Sequence, residues 1–232
     1  MNEWQNPLLT LGERSVAFAE NELKNGVKED KPGSYTSARI REYFSLCTRK
    51  IYGAEVTLNF TKGNWCAASA SFCMMKSLLP GEKAPHGCRL GVVEIVSDLQ
   101  SQGLWRPVSD VLNGSYIIQV GDLIVFDRSQ PNKPETSWWR HVGRVYDISQ
   151  SGFECISGNS GGCWRISNHK LSQSTLLGFG QYPSAKSTVI GFPTEGIDWS
   201  NIDLDDLAPP YDSGNNLSSD NFFSIYKDFF KK

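Results

Sequence analysis

The sequence predicts an α+β fold, helices first and a small antiparallel sheet afterwards, and three observations predict it. Apolar residues recur at helical spacing in four segments between Leu11 and Gly103. Beyond Ile117 the pattern changes to short β-rich runs separated by turn residues. Between the two, Trp65-Cys66-Ala67-Ala68-Ser69-Ala70-Ser71 is so rich in small residues that a helix built from it can lie tightly against a sheet. Runs of helices followed by runs of strands give α+β rather than α/β.

The first helix spans Leu11 to Leu23 and stops at Asn25-Gly26. Lys28 to Ser34 is a polar turn, and Ser37 leads into a second helix over Ala38–Cys47. Asn64 is a good N-cap for a third helix that begins at about Trp65, carries Cys66 in its first turn and runs to about Leu79 before Pro80-Gly81. A fourth covers Gly91 to Gly103, and Leu104 to Pro107 continues as an extended strap. Strands are expected at Ile117–Val120, Asp122–Asp127, His141–Ile148 and Gly152–Ser157, with a last one at Phe179–Pro183. These pieces form one domain, 1–183. The acidic stretch Asp198 to Asn216, rich in Pro, Gly, Asp and Asn, makes 184–232 an extended arm that closes in a short terminal helix over Phe222–Phe230. There are no internal repeats.

At 232 residues the chain can bury a core without staples, and 39% hydrophobic with 21% charged residues describes an ordinary globular protein. A net charge of −2 with no basic stripe argues against a nucleic-acid partner. No run of about 18 apolar residues is present, so no membrane span is expected. Met1 to Pro7 lacks the basic and apolar regions of a signal peptide, which predicts synthesis as a cytoplasmic protein. The six cysteines contain no C-x-x-C spacing, which argues against structural zinc, and without a secretory signal a disulfide framework is not expected. Cys47, Cys73, Cys88, Cys155 and Cys163 read as small apolar core residues.

Cys66 is different because of where it sits. Free N–H groups and the positive end of the dipole at a helix N-terminus favour a thiolate, so the position predicts a lowered pKa and a nucleophile. A thiol nucleophile needs a base, and three histidines are available. His86, in Pro85-His86-Gly87-Cys88, and His169, in Ser167-Asn168-His169-Lys170, read as structural or solvated. His141 opens a strand, follows Trp138-Trp139 and lies in the sheet expected to cover the Cys66 helix. A hairpin centred near Gln150 sets His141 opposite Asn159 and Gly143 opposite Ser157, making Asn159 the candidate that orients the imidazole. The backbone N–H of Cys66 and one further donor would form an oxyanion hole, with Asn64 either that donor or the helix cap.

Four pieces in this order resemble the CHAP family (cysteine, histidine-dependent amidohydrolases/peptidases) and its NlpC-like relatives: Trp65 to Ala68, Gly121 to Asp127, His141 to Tyr146 and Gly158 to Gly161. The lead-in Val16 to Glu29 followed by Arg39 to Tyr43 is similar as well, and the likeness covers roughly 10 to 183. It implies a papain-like fold that cleaves amide bonds of peptidoglycan, as an amidase or an endopeptidase, with no metal and no cofactor. It also implies Cys66 as nucleophile, His141 as general base and then acid, and Asn159 as orienting residue. The sequence departs from the pattern at Ser157, where many members carry an acid. Asn64, Trp65, Ser157 and the Trp138-Trp139 loop are candidate oxyanion or substrate contacts. Such an enzyme would act at the cell wall or periplasm, as a phage lysin or as an antibacterial effector delivered by a secretion apparatus and met by an immunity protein. Two other readings stay open: a papain-like protease or isopeptidase acting on proteins, and an inactive domain that binds wall fragments or a partner.

Overall fold

The computed structural model describes residues 2–33, 37–51, 64–130, 132–133 and 140–183, with backbone alone over 48–51. All of them fall in one compact unit, Met1–Ser200. Trp138, Trp139 and the expected arm with its terminal helix lie outside the described residues.

A 3-10 turn at Glu3–Gln5 precedes α1 (Leu11–Lys24), α2 (Ala38–Ile51), α3 (Cys66–Ser77) and α4 (Val92–Ser101). Then come β1 (Trp105–Pro107), α5 (Val108–Leu112), β2 (Leu123–Asp127), β3 (Arg140–Ser149), β4 (Gly152–Ser157), β5 (Arg165–His169) and β6 (Leu176–Gly180). The six strands form one sheet in the order β1-β6-β2-β3-β4-β5, antiparallel at every step. The α+β class expected from the sequence is therefore present.

Helix α1 starts where Thr10 and Glu13 satisfy each other's backbone N–H groups, a capping box, and it ends before Gly26, whose φ of 65° an L side chain would resist. Helix α3 is different in kind. It is buried on all sides from Cys66 to Met74, as expected of a central helix surrounded by other elements. Ala67, Ala70 and Met74 pack with α4 and with Leu123, Val125 and Val142 of the sheet, while Ala68, Phe72 and Cys73 pack with α1 and α2. The strands alternate accordingly. Ile124, Phe126, Val145 and Phe153 point to the opposite face, where Val108 and Val111 of α5 cover them.

Two of the expected elements differ. The segment Ile117–Val120 is not a strand, because the buried Asp122 carboxylate gathers the Gln119 N–H at 2.8 Å and the Tyr116 hydroxyl at 2.7 Å into a turn. The last strand is Leu176–Gly180 rather than Phe179–Pro183; it passes between β1 and β2, where a Cβ on Gly180 would come within 2.5 Å of Leu99. Strand β5 was not expected at all. It is a sheet edge with a largely exposed surface, so Arg165-Ile166-Ser167-Asn168-His169 carries almost no apolar alternation. All six cysteines are free, five buried and Cys163 partly so. No helix among the described residues is long and apolar enough to cross a membrane.

Candidate functional site

Cys66 is the first residue of α3, but its cap is not the one expected. Trp65 occupies the N-cap position with φ −94° and ψ 11° and its side chain makes no capping bond to the helix. The Asn64 side chain instead accepts from Asn159 Nδ2 at 3.1 Å. Trp65 is a support rather than a contact for substrate, because it is fully buried. Its ring lies 5.9 Å from that of Tyr43 and 6.3 Å from that of Trp164, and its indole N–H donates to Glu29 Oε1 at 3.1 Å.

His141 stands at the start of β3, paired across the ladder with Phe126 of β2. On the other side β3 and β4 pair in the expected register near the site, Arg144 with Ile156, after a bulge at Tyr146. There the expected and observed partners part. Asn159 adopts a left-handed φ of 61°, and its side chain goes to Asn64, not to the imidazole. His141 Nε2 lies 3.1 Å from Ser157 Oγ, which is 2.7 Å from Ser160 Oγ; Ser160 is itself 3.4 Å from Nε2. The reason lies at Gly143. A Cβ there would sit 2.8 Å from Ser157 Cβ and 2.3 Å from Cys155 Sγ, so its absence leaves the space in which Ser157 reaches the ring two residues along. Gly158 performs the matching service toward the helix, since a Cβ on it would fall 2.5 Å from both Ser69 Oγ and the Trp65 ring. The turn after β4 therefore presses directly on the first turn of α3.

Cys66 and His141 border one open cleft of about 680 Å³, together with Asn64, Asn159 and Ser160. Burial pushes the Cys66 thiol up, against the pull of the Val142, Ala67 and Cys66 backbone N–H groups and the Arg128 charge. The lowered thiol pKa expected from the helix terminus is thus outweighed. Burial also pushes His141 down to about 3, helped by the positive charge of Arg128 and by His169. Near neutral pH both groups are accordingly uncharged.

The three histidines differ in what their rings leave over. His86 is fully enclosed and uses both nitrogens, Nδ1 with Gly87 O at 2.8 Å and Nε2 with Tyr182 Oη at 2.6 Å. His169 uses both as well, with Gln173 and Ser167. His141 alone has a ring nitrogen, Nδ1, that makes no hydrogen bond among the described residues.

Sequence reasoning missed Ser160, Arg128, Arg165 and the cleft position of His169. Ser160 stands three residues after Ser157 in a Gly-rich turn, a spacing that could have suggested a hydroxyl pair. The arginines lie at a strand end and on the unforeseen β5, where no local pattern marks them. No cluster of three or more metal-ligating side chains occurs among the described residues. No family model, curated protein or solved structure matches this chain.

Proposed function

We propose that the protein is a papain-like cysteine amidohydrolase that cleaves amide bonds in the stem peptide of peptidoglycan. The observation that carries this reading is the unshared Nδ1 of His141 on a cleft that the helix-terminal Cys66 also borders. The order of motifs along the chain, with its likeness to the CHAP and NlpC-like families, supplies the substrate class.

The chemistry follows from the two neutral groups. As the Cys66 sulfur attacks the amide carbonyl, His141 takes the thiol proton, so the charge pair forms during the reaction rather than before it. The N–H groups of the first turn of α3 stabilise the oxyanion, and the Asn64 amide nitrogen, which the Asn159 contact does not use, is the candidate second donor. His141 then gives its proton to the leaving amine, and water releases the acyl group. Ser157 holds Nε2 throughout and fixes the ring. The proposed setting is the cell wall or periplasm, reached as a phage lysin or as a delivered antibacterial effector with an immunity protein as partner.

The test is wild type and Cys66→Ala incubated with purified diaminopimelate-type peptidoglycan, the soluble fragments being read by mass spectrometry. Fragments from the wild type alone are expected, whole stem peptides for an amidase and truncated ones for an endopeptidase. Release by neither protein, with Cys66 still alkylated rapidly, would move the reading to a protease acting on proteins.

A further inference from the structure

We propose that the cleft selects a substrate bearing a free carboxylate close to the scissile amide, and that Arg128 and Arg165 are its specificity-determining residues. Three arginines border the cleft, Arg128, Arg140 and Arg165, and among the described residues no Asp or Glu borders it. That imbalance is local, because the whole chain carries −2. Arg140 is partly neutralised by Asp127 at 3.0 Å. Arg128 and Arg165 are in no ion pair among the described residues, and both are exposed.

Their placement is fixed from two sides. Arg128 directly follows β2, whose Phe126 pairs with His141 and whose Asp127 pairs with Arg140. Arg165 opens β5 opposite Ser157, the residue that holds the imidazole, and its Nε donates to Cys163 Sγ at 3.2 Å. The Nη atoms at the end of the guanidinium are not part of that contact, and a planar fork of this kind suits a carboxylate. One cation thus stands on each flank of His141.

An anionic group bound at Arg128 would also act on the chemistry. Arg128 helps hold His141 down, so neutralising it makes the imidazole a better proton acceptor when substrate is in place. Charge recognition would then favour turnover as well as binding.

The catalytic arm of the test rests on the hydrolase reading, and the binding arm does not. The probes are soluble disaccharide-peptide fragments with the glutamate and diaminopimelate carboxylates either free or amidated. Wild type should show kcat/KM at least about tenfold higher for the free acids, the size expected of a charged hydrogen bond. Arg128→Gln with Arg165→Gln should bring that ratio close to one while leaving the thermal unfolding transition in place. Equal wild-type rates on both probes, or a double variant that slows both equally, would overturn the proposal. Calorimetric binding of the same probes to Cys66→Ala decides it independently of turnover. Acid-selective binding that the two substitutions abolish supports the anionic subsite even if nothing is cleaved, which would sink only the hydrolase reading. Absent or unselective binding overturns the subsite itself.

Discussion

His86 and His141 meet the first requirement of a buried histidine in the same way, with a hydroxyl on Nε2: Tyr182 at 2.6 Å for one and Ser157 at 3.1 Å for the other. Both are held neutral by burial, His86 at about 4 and His141 at about 3. They part at Nδ1. In His86 it is bonded to the Gly87 carbonyl and the ring is closed off; in His141 it is left unshared beside a cleft. A depressed pKa therefore does not separate the two histidines, whereas the hydrogen bonding of Nδ1 does.

The largest effect that could break this contrast is at His141. His141→Ala should lower fragment release by at least about 10³-fold, the scale of a lost general base, with a cooperative unfolding transition retained. Release within tenfold of wild type would remove His141 from the mechanism.

His86→Leu should do the reverse. It strips the Tyr182 hydroxyl and the Gly87 carbonyl of a buried partner, although Arg144 still donates to Tyr182 at 3.0 Å. The expected cost is about 3 kcal/mol in denaturant unfolding, with the turnover of folded protein unchanged. A loss of turnover in the fully folded variant would mean that the two histidines are not the separate cases described.

The pH dependence sharpens the same contrast. His86 has its folded pKa depressed, so its contribution to stability is full above about pH 6.5 and is lost as pH falls toward about 4. The stability difference between wild type and His86→Leu should shrink by about 2 kcal/mol from pH 7 to pH 5, since each pKa unit is worth about 1.4 kcal/mol. Asp122 slopes the other way. Burial raises its folded pKa to about 6, so its contribution is present at low pH and fades as pH rises through that value. Subtracting the two proteins cancels Asp122, and a difference that stays flat would show that His86 is not held neutral.

What the sequence made legible follows the same division between packing and leftover valence. Helix α3, its terminal cysteine and the β3–β4 register were readable because small residues, an apolar period and a turn centre are local signals. The partner of His141 was not. Choosing Asn159 over Ser157 required knowing that Gly143 leaves room for one side chain and that a left-handed φ turns the other toward Asn64. Asn64 was misplaced as a cap for the same reason, since only the folded loop brings Asn159 to it. Strand β5 and its Arg165 were hidden because an exposed edge needs no hydrophobic code.

Ser157 carries the smallest expected effect and separates orientation from mere packing. Ser157 is 2% exposed and its hydroxyl holds Nε2, so Ser157→Ala frees the ring to turn while Ser160 at 3.4 Å remains as a weaker substitute. A fall of about tenfold in kcat/KM is expected, close to the value of one buried hydrogen bond. Stability alone cannot distinguish a positioning role from a space-filling one, which is why Ser157→Asp is the more informative substitution. A carboxylate on Nε2 would favour the imidazolium against the opposing burial, Arg128 and His169, so the folded pKa of His141 rises from its depressed value. The acid limb of the pH–rate profile, set by protonation of the base, should then move to higher pH while the unfolding transition stays cooperative. An acid limb that does not move in a folded Ser157→Asp protein would show that this side chain fills space beside His141 without controlling it.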